Sequence, residues 1–275
     1  MEIWFSEKHT DNLALHYRIK ETLFRKKTPY QELAILDTCE FGRTLVLDGV
    51  VQTTVRDEFI YHEMLVHPAM ALHPSPQRIL VVGGGDGGTI REIVKYPGLE
   101  KVTLAELDEE VIAASRHFLP ELSCAFDHPK VEISIGDGVE YIKDKENTFD
   151  IIFIDSPDPI GPASGLFSAA FYADIRKALK PEGIMVAQTE SPFLHAELIR
   201  QVHAVLRKES FSPRLYLAYI PTYQHGMWSF TMALKEPGSL KPEPGWTPPG
   251  TRYYNKDIHR GAFSLPSFVA EIVAP

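Results

Sequence analysis

The run Asp155-Ser156-Pro157-Asp158-Pro159 sets two carboxylates three residues apart, directly after the apolar stretch 149–154. Pro157 and Pro159 fix φ and stiffen the turn, so the acids are held at a set geometry. Acidic clefts concentrate cations, so acids so placed suit a cationic ligand. Other acids follow other apolar runs. Asp86 lies inside Gly83-Gly84-Gly85-Asp86-Gly87-Gly88, Glu106 ends the run 102–106, Asp137-Gly138 follow 131–135, and Thr189-Glu190 follow 183–188. Singly, such residues only open loops or cap helices. Together, like charges on one rim cost energy unless a ligand offsets them.

The order of elements must bring these positions together. From residue 78 the sequence alternates short apolar runs with helical stretches: strands over 78–82, 102–106, 131–135, 149–155 and 183–188, helices over 89–96, 109–118, 167–179 and 194–207. That alternation predicts βαβ units and a parallel sheet covered on both faces. In such a sheet ligands bind beyond the carboxyl ends of the strands, where strand order reverses. Two further strands, 214–220 and 227–234, have no helix between them, which predicts an antiparallel hairpin at the sheet edge. The first 58 residues read as a small antiparallel β-domain. Leu13, Leu15, Tyr17 and Ile19 alternate with other residues at a period of two, and Asp48-Gly49 marks a hairpin. The expected division is residues 1–58 and 59–275. Residues 57–72 are helix-like, with a break expected near Pro68. The proline-rich stretch 236–250 reads as a surface loop, and the last 20 residues as a short docking helix.

The 275 residues carry 28 Lys+Arg against 37 Asp+Glu, a net charge of −9. That argues against nucleic-acid binding, which needs basic residues to neutralise phosphates, and suits a cationic small substrate. Two cysteines, Cys39 and Cys124, make neither a disulfide framework nor a metal site, and no zinc spacing is visible, so no metal is expected. With no signal peptide and no run of 18 apolar residues, neither export nor membrane insertion is expected, and the location expected is cytoplasmic.

The glycine-rich loop brings backbone close to a ligand at a helix N-terminus. Glu106, about 20 residues on, can accept two hydrogen bonds from ribose hydroxyls. NAD and S-adenosylmethionine both fit so far. Asp86 tilts the choice, since it would repel a pyrophosphate or a carboxylate and attract an amine.

In these residues the chain resembles the spermidine synthase family, the polyamine aminopropyltransferases. The likeness is carried by Leu47-Asp48-Gly49, Tyr61-His62-Glu63, the glycine loop 83–88, Glu106, Asp137-Gly138, the run from Asp155 to Pro162, Ile220-Pro221-Thr222-Tyr223 with Gly226 and Trp228, and Asp257-Ile258-His259. It implies an α/β fold, a methyltransferase-like Rossmann sheet behind the N-terminal β-domain, assembled as a homodimer or homotetramer. It also implies transfer of the aminopropyl group of decarboxylated S-adenosylmethionine, a co-substrate in place of any cofactor, to putrescine, giving spermidine and 5′-methylthioadenosine. The donor side would comprise Gln31, Gly83, Gly85, Glu106, Asp137, Gly138 and Pro162. The diamine side would comprise Tyr61, His62, Asp86, Asp155, Asp158 and Tyr223, with Asp155 as proton acceptor. Two departures stand near the acceptor: Pro157 replaces the family's Ser or Thr, and Gln224-His225-Gly226 replaces Pro-Ser-Gly. They leave agmatine, cadaverine or spermidine open as acceptors. From other classes, a methyltransferase, an NAD-dependent oxidoreductase and a non-catalytic polyamine sensor stay open.

Overall fold

A computed structural model describes residues 2–156, 165–223, 225–236, 238 and 246–274. Strands β1 (Ile3–Thr10), β2 (Leu13–Lys27), β3 (Glu32–Thr38), β4 (Gly42–Leu47) and β5 (Val50–Thr54) form an antiparallel meander, each pairing with the next. The β4–β5 turn falls on Asp48 and Gly49, with φ of 49° and 82°. Two successive positive φ values are what a tight hairpin turn requires. Helix α1 (Glu58–Leu72) follows.

The rest alternates between strands and helices, with short helices α4 and α5 that the sequence does not predict: β6 (Arg78–Gly83), α2 (Gly88–Ile93), β7 (Lys101–Glu106), α3 (Glu109–Phe118), α4 (Pro120–Ser123), β8 (Val131–Ile135), α5 (Gly138–Ile142), β9 (Phe149–Asp155), α6 (Ala169–Ala178), β10 (Leu179–Gln188), α7 (Ala196–Lys208), β11 (Ser212–Tyr219), β12 (Met227–Leu234), α8 (Lys256–Ala262) and α9 (Ser267–Val273). The second sheet has the order β11-β12-β10-β9-β6-β7-β8. Its central strands pair in parallel, and β12 joins β10 and β11 antiparallel. Ile79–Val82 and Ile151–Ile154 are buried throughout, as strands covered on both faces must be. The chain runs outward from β6 to β8 and returns to β9 on the other side of β6. The strand order therefore reverses between β6 and β9, and the glycine loop and Asp155 leave the sheet side by side there.

The N-terminal sheet is tied to this frame by apolar packing and by hydrogen bonds. Leu33, Ile35, Leu45 and Leu47 pack against Val111, Ala114, Leu119 and Leu122 of the α3–α4 region. Buried Asp57 accepts from the Thr54 hydroxyl (2.6 Å) and from the Thr222 backbone N–H and hydroxyl (2.9 and 2.7 Å).

Two expectations need correction. Helix α1 does not break at Pro68. The ring removes the N–H that would bond to the Met64 carbonyl, and the Tyr216 hydroxyl donates to that carbonyl at 2.8 Å instead. The tail forms two short helices rather than one, with Pro266 just before α9, where it can start a helix but not continue one. The expected loop over 236–250 falls largely outside the described residues. No described helix is long and apolar enough to cross a membrane.

Tyr216 is fully buried, so Tyr216→Phe should leave the Met64 carbonyl without a partner in a dry core. The expected cost is about 1–3 kcal/mol, seen as a fall of roughly 2–4 °C per kcal/mol in thermal unfolding. In a Pro68→Ala background, residue 68 regains its N–H and the same change should cost less. Equal losses in both backgrounds would show that the hydroxyl does not replace the missing helix bond.

Candidate active site

A cavity of ≈ 320 Å³ opens beyond the carboxyl ends of β6, β7, β8 and β9. Its lining includes Gln31, Tyr61, Gly83, Gly85, Asp86, Glu106, Asp137, Gly138, Asp155 and Tyr223. The sequence candidates among the described residues thus converge on one space, with one exception: His62 is buried behind Asp86. Asp158, Pro162 and Pro157 lie outside the described residues.

Asp155 ends β9. Its Oδ1 accepts from the Tyr61 hydroxyl at 2.7 Å and its Oδ2 from the Thr89 hydroxyl at 2.6 Å. Burial, and then the nearby Asp86 carboxylate, push its pKa up; the imidazole of His62 and the two hydroxyls pull the other way. The glycine loop makes room for this carboxylate. Gly84 has φ of +76°, and a Cβ there would lie 2.8 Å from Asp155 Oδ2. At Gly83 a Cβ would meet the Asp155 carbonyl oxygen at 2.2 Å.

Glu106 ends β7. Its Oε1 accepts from the Asp108 N–H at 2.9 Å, and a Cβ at Gly85 would lie 2.9 Å from its Oε2. Burial raises its pKa to about 7. Asp108 caps α3 by accepting from the Glu110 N–H. It also accepts from the Thr28 hydroxyl at 2.8 Å and the Gln31 amide at 3.0 Å. Gln31 thus comes from the N-terminal sheet and reaches Glu106 through Asp108. Asp137 caps α5 by accepting from the Val139 N–H at 2.8 Å, and its exposed side chain stands at the cavity edge with buried Gly138.

The three residues Tyr61, His62 and Glu63 point three ways from one helix that is buried on nearly every side. Tyr61 turns to Asp155. His62 faces Asp86 with Nε2 at 3.3 Å and Glu58 with Nδ1 at 2.7 Å. Glu63 accepts backbone N–H groups of Arg252, Tyr253 and Tyr254, and so anchors the C-terminal segment. Tyr223 donates to the Gln52 carbonyl at 2.6 Å and packs on Tyr61 and Trp228. Tyr61, Tyr223 and Trp228 line the cavity as a cluster of rings beside the acids, a surface suited to the methylenes of an alkylamine.

Sequence reasoning missed several residues. Thr89 reads as one more helix residue, yet it holds Asp155. Glu7, His9, Gln52 and Gln188 also line the cavity. Glu7 and His9 are two apart on β1 and so share a face, which signals an inward pair, but not the site it faces. Among the described residues no group of His, Cys, Asp and Glu forms a metal site.

Comparison with known proteins identifies the family. Residues 58–241 match the model of the spermine/spermidine synthase domain, and residues 3–55 that of the spermidine synthase tetramerisation domain. Polyamine aminopropyltransferases from Desulforudis audaxviator and Moorella thermoacetica are 52% and 51% identical, each over 98% of this chain and over 99% and 96% of their own lengths. A crystal structure of spermidine synthase with the transition-state analogue AdoDATO superposes with TM-score 0.93 at 38% identity, and a spermidine synthase from Thermotoga maritima with TM-score 0.91 at 38% identity. Both superpositions cover 98% of this chain and 94% of the other. The chain belongs to the spermine/spermidine synthase family, the polyamine aminopropyltransferases.

Proposed function

We propose that the chain transfers the aminopropyl group of decarboxylated S-adenosylmethionine to putrescine, giving spermidine and 5′-methylthioadenosine, as a cytoplasmic homo-oligomer. The observation that carries the reading is the Asp155 carboxylate. Two neutral hydroxyls hold it, and it lines the cavity together with Asp86. The tetramerisation-domain match and the exposed Ile3 and Trp4 on edge strand β1 support assembly.

In this reading Glu106 accepts the ribose hydroxyls, with Gln31, Gly83 and Gly85 around the nucleoside. Asp137 and Gly138 take the adenine end, and Pro162 belongs to the donor side. Tyr61, His62, Asp86, Asp158 and Tyr223 serve the diamine. An alkylamine resembles lysine, with pKa about 10.4, so its neutral fraction at pH 7 is roughly one in 2,500, equivalent to about 4.6 kcal/mol. Carboxylates favour the charged form and oppose that step. The acids therefore divide the work. Asp86 and Asp158 hold the remote ammonium, and Asp155 orients the reacting nitrogen. The nitrogen lone pair attacks the carbon beside the sulfonium. A C–N bond forms, the C–S bond breaks, and its electron pair leaves on sulfur as a neutral thioether. The proton released from nitrogen passes to Asp155. Its raised pKa makes it the better base.

Mass spectrometry of products from the decarboxylated donor with putrescine, cadaverine, agmatine and spermidine should give spermidine as the main product. Faster turnover of another amine would move the acceptor, and no aminopropyl product at all would overturn the reading. Asp155→Asn should lower kcat by about 10²- to 10⁴-fold while leaving donor affinity within a few-fold, and a near-normal kcat would remove Asp155 from the role. Glu106 supplies a pH dependence. Its carboxyl titrates at about 7 in the ligand-free cavity, and accepting two hydroxyl bonds favours its ionised form. Affinity for 5′-methylthioadenosine should then fall as pH drops through about 7, with proton uptake by the free site, and level off above it. Calorimetry from pH 5.5 to 8.5 checks this. A flat profile in the wild type, or the same slope in Glu106→Gln, would contradict it.

A further inference from the structure

Behind Asp86 runs a row of buried charges that leads away from the cavity. Asp86 Oδ1 accepts from the Gly88 N–H at 2.7 Å and faces His62 Nε2 at 3.3 Å. His62 Nδ1 meets Glu58 Oε2 at 2.7 Å. From the far side, Arg91 Nη1 and Nη2 donate to Glu58 Oε1 and Oε2, both at 2.8 Å, and Arg91 Nε donates to Glu92 Oε1 at 2.9 Å. Glu58 and His62 lie one turn apart on α1, and Arg91 lies on α2, one turn after Gly88. A Cβ at Gly88 would come within 2.3–2.5 Å of the His62 ring, so this glycine is what lets α2 close over the imidazole.

His62 Nδ1 is hydrogen-bonded to Glu58, while Nε2 faces Asp86 Oδ1 at ion-pair distance without a hydrogen bond; a ring protonated on both nitrogens suits the two carboxylates, since a neutral ring would set a lone pair against one of them. Burial opposes that charge, but Asp86 and then Glu58 outweigh it and raise the pKa well above the usual histidine value. The signs alternate: Asp86 negative, His62 positive, Glu58 negative, Arg91 positive. The two-pronged Arg91–Glu58 contact fixes the plane of the Glu58 carboxylate, which fixes the ring; the Gly88 N–H and the charged ring then hold Oδ1 of Asp86 between them. The second oxygen of Asp86 is then the one left for a ligand.

We infer that Glu58 and Arg91 are positioning residues for the amine substrate: neither lines the cavity, yet through His62 they hold the Asp86 carboxylate in its working orientation. The inference rests on the reading of the cavity as an amine site. It gives Gly88, His62, Glu58 and Arg91 a joint purpose that fold stability alone does not require.

The test combines kinetics of Glu58→Gln and Arg91→Lys with ¹⁵N NMR of the His62 ring, which needs no substrate. At pH 8 the wild-type ring should be doubly protonated, and Glu58→Gln should shift it toward the neutral form. In Glu58→Gln the KM for putrescine should rise at least about ten-fold, with the KM for the donor within two-fold. Arg91→Lys, which keeps the charge but loses the fork, should give a smaller rise of the same kind. A purely structural role would instead lower the unfolding temperature and the active fraction with both KM values unmoved, and that result overturns the inference. So would a neutral His62 in the wild type. If the wild type transfers no aminopropyl group, the functional reading fails separately, and identical His62 spectra in wild type and Glu58→Gln still overturn the relay.

Discussion

Bringing Asp86, Glu106 and Asp155 to one partly dry cavity is the constraint on which the rest of the site depends. Like charges so gathered repel one another, and burial adds to the cost. The chain answers differently at each. Asp86 receives a buried imidazole, which lowers its pKa against the effect of burial. Glu106 receives a backbone N–H, and burial leaves it near neutrality at about 7. Asp155 receives the hydroxyls of Tyr61 and Thr89, which orient it without neutralising it. Three carboxylates thus acquire three characters: a fixed anion, a group that ionises on demand, and a raised base. In the proposed reading, that division suits transfer to an amine.

The backbone supplies the means. Gly84 and Gly85 each leave the space that an acid at the end of a neighbouring strand occupies, so the glycine loop serves the acids as much as any ligand. Helix α1 carries Tyr61 to one acid and His62 to another. It can do so without a break at Pro68 because Tyr216 completes its hydrogen bonding. The N-terminal sheet closes the cavity with Glu7, His9 and Gln52, and its Gln31 reaches Asp108 at the start of α3.

Much of this was legible in the sequence, and the parts that were not have physical reasons. Strands 131–135, 149–155 and 227–234 stand where the sequence puts them, and 149–155 is plainest because a central parallel strand must be apolar on both faces. Acids after strands pointed to the cavity because the sheet topology brings strand ends together. What one sequence cannot carry is the identity of a partner distant in the chain. Thr89 is 66 residues from Asp155, Gln31 is 77 from Asp108, and Tyr216 is 152 from Met64. No local periodicity encodes such pairs. Pro68 misled for the same reason, since the local rule is right and a remote hydroxyl overrides it.

In the proposed reading the acids hold a diamine with one nitrogen at Asp155 and the nucleoside at Glu106. A crystal structure of the chain with 5′-methylthioadenosine and putrescine tests it most directly. A putrescine nitrogen should lie within roughly 2.6–3.2 Å of the Asp155 carboxylate, on the side facing the thioether sulfur, with the ribose hydroxyls on Glu106. A diamine seated elsewhere, with Asp155 facing only Tyr61 and Thr89, would contradict it.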